Sequence, residues 1–209
     1  GPMAQAHAAV LDSLGVRYEV IGRGKESSTT FQTETGRAVS AGGIRPAITR
    51  GAVPDQAIVA VGVDHLAEVA CELLDAGVTR LLLEKPGGLG SRELAEIRDR
   101  ASSAEVTIGY NRRFYASVAT ARQMITGDGG VSSFFFEITE WPHATEPKQV
   151  DLPVRQRWFL AQSSHVVDLA FHLGGRPIDW ACWHEGSLSW HRESSRFAGA
   201  GVTAAGATF

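Results

Sequence analysis

The chain has 209 residues, is 44% hydrophobic and 21% charged, and carries a formal net charge of -3. That is an ordinary globular composition with room for one large or two small domains, and the slight acidic excess argues against a nucleic-acid partner, which would call for a basic surface. Cys71 and Cys182 stand far apart in no metal-ligand spacing, and there is neither a run of about 18 apolar residues nor a charged-then-apolar leader, so the expectation is a reduced, soluble, cytoplasmic protein with no membrane partner.

The opening segment runs almost directly into a helix, with Val10, Leu11 and Leu14 as its apolar stripe and Gly15 suited to the left-handed position after the last turn. Tyr18 to Gly22 reads as a strand and Glu26 to Thr35 as a helix closed by Gly36. Ala57 to Val61 predicts a buried strand, and the next helix carries Leu66, Val69, Ala70 and Leu73 on one face before Gly77. Leu81, Leu82 and Leu83, bounded by Arg80 and by Glu84-Lys85-Pro86-Gly87-Gly88, read as a short strand buried on both faces, as parallel strands are. A helix from about Ser91 carrying Leu94 and Ile97 and a strand from Glu105 to Gly109 complete the series. Strands alternating with helices at this spacing mean a parallel sheet with right-handed crossovers. The fold class is therefore α/β, a doubly wound Rossmann-type sheet over residues 1–110.

After Tyr110 the rhythm changes. A helix from about Tyr115 to Ile125 is followed by Ser133 to Thr139, read as a strand with Phe134, Phe136 and Ile138 on one face. Trp141 to Pro153 reads as a loop and Ser164 to Leu173 as an apolar helix ended by Gly174-Gly175, with weaker strands at Ile178 to Trp183 and Phe197 to Thr203. Residues 111–209 are expected to form an α+β domain with a mixed or antiparallel sheet.

The residue types that could carry chemistry sit at element ends. Lys85 lies where its strand stops, and open α/β sheets bind ligands outside the carboxyl ends of their strands; the alternative is a merely solvated charge. The tip of the second strand, Gly22-Arg23-Gly24-Lys25 with Ser27 beyond, offers two cations and no acid, which suits a ribose 2′-phosphate if these groups are more than solvated surface. His165 lies near the start of a helix with Ser163 or Ser164 as its expected cap, where the helix dipole favours a neutral imidazole. Asp168 and His172 share its face; Asp168 reads equally as an orienter of the ring or as a capping or salt-bridging group. A metal site on this stripe is disfavoured, since no matching cluster lies elsewhere.

Taken together, Glu84-Lys85-Pro86, Gly109-Tyr110-Asn111-Arg112-Arg113-Phe114 and Ser164-His165-Val166-Val167-Asp168 resemble the Gfo/Idh/MocA family of NAD(P)-dependent oxidoreductases. The resemblance implies a dinucleotide-binding domain over 1–110 and a substrate and oligomerisation domain over 111–209. It implies hydride transfer between NADP(H), with NAD the less expected cofactor, and a hydroxyl or keto group of a sugar-like or cyclitol substrate, Lys85 and His165 being catalytic. Cofactor contacts would come from Gly1, Pro2, Met3, Ala4, Arg23, Lys25, Ser27, Glu84, Pro86, Asn111 and Arg113, and substrate contacts from Lys85, Tyr110, His165 and Asp168, the alternative for Tyr110, Asn111 and Arg113 being a domain-hinge network. Apart from the resemblance, Glu140-Trp141 and Trp190-His191 could line a polar, aromatic sugar site with Trp141 as a substrate contact, or their aromatic rings could belong to the core. No metal is implied.

Two departures stand out. Gly1-Pro2-Met3-Ala4 matches only the last four positions of the family's glycine turn, or else is an expression scar, so a first strand and the C-terminal strands are expected to be missing from a chain that would form a homo-oligomer when full length. Ala161 stands where the family often places an Asp before the histidine, which leaves open a non-catalytic dinucleotide or sugar sensor of the same fold.

Overall fold

The computed structural model describes residues 1–51, 53–145 and 151–209, which form two compact units, Gly1–Gly109 and Tyr110–Phe209. The first opens with α1 (Pro2–Ser13), whose proline lies in the first turn, where a missing N–H leaves no intrahelical bond unmade, and Gly15 follows at φ +66°. Then come β1 (Ile21–Gly22), α2 (Lys25–Thr35), β2 (Ser40–Ala41) and α3 (Ile44–Thr49). The series continues with β3 (Gln56–Val59), α4 (Leu66–Asp75), β4 (Arg80–Leu83), α5 (Ser91–Ala101) and β5 (Glu105–Ile108).

All of these strands pair in parallel, in a two-stranded sheet β1-β2 and a three-stranded sheet β3-β4-β5. The register sets Val59 opposite Leu83 and Leu83 opposite Ile108. Helix α4 lays Leu66, Ala70 and Leu73, spaced i, i+4 and i+7, into the same core as Val59, Leu81, Leu83 and Ile97. The sheet is less continuous than the alternation of elements predicts, for among the described residues no strand joins β1 to β3. The expected Tyr18 to Gly22 strand shrinks to two residues because Tyr18 turns elsewhere: its hydroxyl donates to Asp12 at 3.0 Å and its ring lies under the Arg37 guanidinium. The strand expected to reach Val61 stops at Val59, and β2 and α3 were not anticipated.

The second unit starts with a 3-10 turn, Asn111–Phe114, then α6 (Ala116–Gly127). Short helices α7 (Pro142–Thr145) and α8 (Leu152–Gln156) replace parts of the expected loop from Trp141 to Pro153, whose residues 146–150 lie outside the described ones. A π-turn, Phe159–Ser163, runs into α9 (Ser164–Gly174), and the hairpin β6 (Pro177–Glu185) with β7 (Arg196–Thr203) follows, antiparallel as expected. The stretch from Ser133 to Thr139 is a correction: it has no regular strand and forms only an isolated bridge, Ser133 with Thr208. Its alternation nonetheless holds. Phe134 and Phe136 pack edge-on against Phe171 of α9 at 5.8 and 5.7 Å, while Phe135 between them is 84% exposed. Gly174 makes room for that packing, since a Cβ there would lie 2.3 Å from the Phe134 ring. Among the described residues no helix is long and apolar enough to cross a membrane.

Candidate functional site

In the first unit the site is built at the carboxyl end of β4. Glu84 still bonds the neighbouring strand, its N–H donating to the Val59 carbonyl at 2.9 Å, and its own carbonyl accepts the Gly87 N–H at 3.0 Å, closing a turn around Lys85 and Pro86. The Lys85–Pro86 peptide is cis. Gly87 has φ +85°, and a Cβ there would come 2.9 Å from the Ile108 side chain, so only glycine fits so close to β5. The Leu89 N–H donates to Glu93 in the first turn of α5 at 2.7 Å, which fixes the far side of the loop. Lys85 is half-buried while Pro86, Gly87 and Gly88 are buried. Glu84 does not stand alone: its Oε1 lies 2.7 Å from His7 Nε2 on α1.

The residues expected at the adenosine end are arranged as a surface. Arg23, Lys25 and Ser27 are all exposed at the N-terminal end of α2, and the Ser27 hydroxyl donates to the Gly24 carbonyl at 3.1 Å. Two cations beside a helix N-terminus fit an anionic phosphate, although Glu26 shares that first turn. Gly1, Pro2, Met3 and Ala4 form the start of α1, with open space around Gly1 and no N–H on Pro2. This end contributes a helix N-terminus and one glycine.

In the second unit Tyr110, Arg113, Phe159, Asp168, Phe171 and His172 line much of an open groove of about 630 Å³. Its centre is a forked ion pair: Arg113 Nε donates to Asp168 Oδ2 at 2.8 Å and Nη2 to Oδ1. The hydrogen bond to Asp168 holds the Arg113 guanidinium more firmly protonated than usual. That guanidinium lies over the Tyr110 ring, 5.9 Å from its centre, and the edge of His165 meets the same ring at 5.7 Å and 85°. Burial pushes the Tyr110 phenol up, and burial together with the positive charges of Arg113 and Arg122 pushes His172 down, favouring its neutral form.

Asp168 therefore takes the salt-bridging role of the two that the sequence left open, because both of its oxygens face Arg113. The dipole argument for His165 needs correction. No side chain caps α9, and the preceding π-turn continues into it, so His165 does not stand at a free helix N-terminus. Ala161 is buried, 3% exposed, and offers no polar group to the histidine one turn on. Asn111 is exposed at the start of its 3-10 turn, and Trp141 is 64% exposed and stacks on His143. Trp190 packs edge-on against Trp158. Among the described residues no three His, Cys, Asp or Glu side chains converge to hold a metal ion. The groove's apolar walls, Phe159 and Phe171, were missed as site residues, since aromatic side chains at helical spacing read first as core.

No protein-family model and no curated protein matches the chain. Solved structures do. The WlbA dehydrogenase of Bordetella pertussis, in complex with NADH and UDP-GlcNAcA, superposes at TM-score 0.78 with 18% identity over 100% of this chain and 67% of its own. An NAD binding oxidoreductase from Klebsiella pneumoniae gives 0.71 and 15% over 99% and 62%. Levoglucosan dehydrogenase, in complex with NADH and levoglucosan, gives 0.69 and 17% over 92% and 56%. The chain thus spans between about half and two thirds of the length of the structures it resembles. Its likeness to them covers both units, and the chain shares the fold of these dehydrogenases.

Proposed function

We propose that this chain belongs to an oxidoreductase that moves a hydride between NADP(H) and a hydroxyl or keto group of a sugar-like or cyclitol substrate. One observation carries the reading: a half-buried lysine, Lys85, in a turn held by two backbone hydrogen bonds and by a third from the Leu89 N–H to the Glu93 carboxylate, at the carboxyl end of the central parallel strand. When bound, the dinucleotide supplies the hydride acceptor or donor. In the oxidising direction the carbinol O–H proton passes to neutral Lys85 Nζ as its C–H hydrogen leaves as hydride, and in the reducing direction the lysine returns that proton. His165, against Tyr110, is the second proton-bearing group of the proposal, and Tyr110, Trp141 and Asp168 its substrate contacts. Arg23, Lys25 and Ser27 would hold the ribose phosphate, Glu84, Pro86, Asn111 and Arg113 the nicotinamide half, and Gly1 to Ala4 the pyrophosphate. Trp180, Trp183 and Phe197, more than 45% exposed on the hairpin, support a homo-oligomer; a cytoplasmic setting is part of the same proposal.

Ala161 favours a second reading, a sensor of the same fold that binds dinucleotide or sugar without turnover. Incubating the protein with NADP⁺ or NAD⁺ and a panel of aldoses, cyclitols and sugar acids, while following reduced nicotinamide, separates the two. Turnover supports the enzyme, tight dinucleotide binding without turnover supports the sensor, and neither defeats both.

Cofactor choice has its own test. Arg23→Ala is expected to weaken NADPH binding by about 1.5–3 kcal/mol, the range for a hydrogen bond to a charged group, and to leave NADH binding nearly unchanged. Fluorescence titration decides it, and equal losses for both cofactors, or a wild-type preference for NADH, would remove the NADP assignment.

A further inference from the structure

We infer that His7 is a positioning residue for Lys85, acting through Glu84; the inference rests on the reading of Lys85 as the proton-transfer group. His7 and Glu84 are 77 positions apart, yet Nε2 and Oε1 meet at 2.7 Å with side chains only 25% and 12% exposed. The Glu84 side chain also lies near β5, where a Cβ added at Gly109 would be 3.9 Å from Glu84 Oε1. An enclosed carboxylate that loses its donor carries the full desolvation penalty and reorients toward water. Glu84 cannot do so without consequence. Its carbonyl accepts the Gly87 N–H that closes the turn holding Lys85, and its N–H is bonded to β3. Movement of Glu84 therefore passes directly to Lys85, its neighbour in the chain.

The other end of this contact is equally placed. His7 stands on α1, about 9 Å along the axis from Gly1 at 1.5 Å per residue. The same rigid helix thus carries the N-terminus assigned to the pyrophosphate and the imidazole that fixes the lysine's turn. One helix sets the spacing between cofactor seat and proton-transfer group.

The test reads Lys85 itself. Trace acetylation with acetic anhydride, followed by peptide mass spectrometry, gives the reactivity of Lys85 relative to exposed Lys25 as an internal standard. His7→Ala and His7→Phe both remove the N–H, the second keeping a ring of similar size, and both are expected to raise relative Lys85 labelling by roughly threefold or more. His7→Gln can still donate to Glu84 and is expected to stay within about 1.5-fold of wild type. Glu84→Ala should reproduce the increase, and combining it with His7→Phe should add nothing further. Wild-type labelling in His7→Phe, labelling of His7→Gln equal to that of His7→Phe, or additive increases in the double variant would each overturn the inference. Neither substrate nor dinucleotide is present, so the result stands apart from the catalytic reading, which turnover of Lys85→Met tests separately.

Discussion

Lys85→Met is expected to lower turnover by about a hundredfold or more, because a positioned general acid–base group contributes roughly 10²–10⁴-fold. Methionine keeps an unbranched side chain of similar length and so preserves the packing of a half-buried position, while removing the one group there that can take a proton. Dinucleotide affinity should change little, since the substitution leaves Arg23, Lys25 and the start of α1 untouched. A fall in rate shared between reduced binding and reduced turnover would point to a collapsed turn. Turnover within about threefold of wild type would remove Lys85 from the chemistry.

The second large effect falls on stability. Leu83→Ala should destabilise the first unit by about 2–5 kcal/mol, the range for truncating a fully buried leucine and leaving a cavity. Leu83 is 0% exposed, faces Val59 on one side and Ile108 on the other, and lies directly before Glu84, so no neighbour can move in without disturbing the ladder. Ile58→Ala on the adjacent strand is the matched control: Ile58 is 39% exposed and should cost less than about 1.5 kcal/mol. Denaturant unfolding of the pair checks this. Equal losses would mean that the core is not seated on β4.

The run Leu81 to Leu83 announced its strand, and Gly15, Gly36 and Gly77 announced helix ends that all prove to have positive φ. These signals are local: burial on both faces needs continuous apolar residues, and a left-handed cap needs a residue without Cβ. What stayed hidden has no local signal. Ser40-Ala41 is too short to show alternation, and Pro46 inside Ile44–Thr49 disguises a helix. Ser133 to Thr139 alternates faithfully, yet alternation reports only which side is packed and not whether a partner strand exists. The site divides in the same way. The position of Lys85 just past a strand end was legible, whereas the Arg113–Asp168 fork and the His7–Glu84 contact join residues 55 and 77 positions apart and exist only once the chain has folded.

Among the described strands β4 alone has ladder partners on both sides. The consequence is one of timescale. In hydrogen exchange its amides, Leu81 to Leu83, should be the last in the first unit to pick up deuterium, since they open only with the whole core, while Ile21 and Gly22 of the two-residue pair should exchange through local opening far sooner. Lys85 begins two residues beyond that slowest segment. The lysine is thereby mounted on the part of the unit that breathes least, and whatever must move to admit a ligand can do so without moving it.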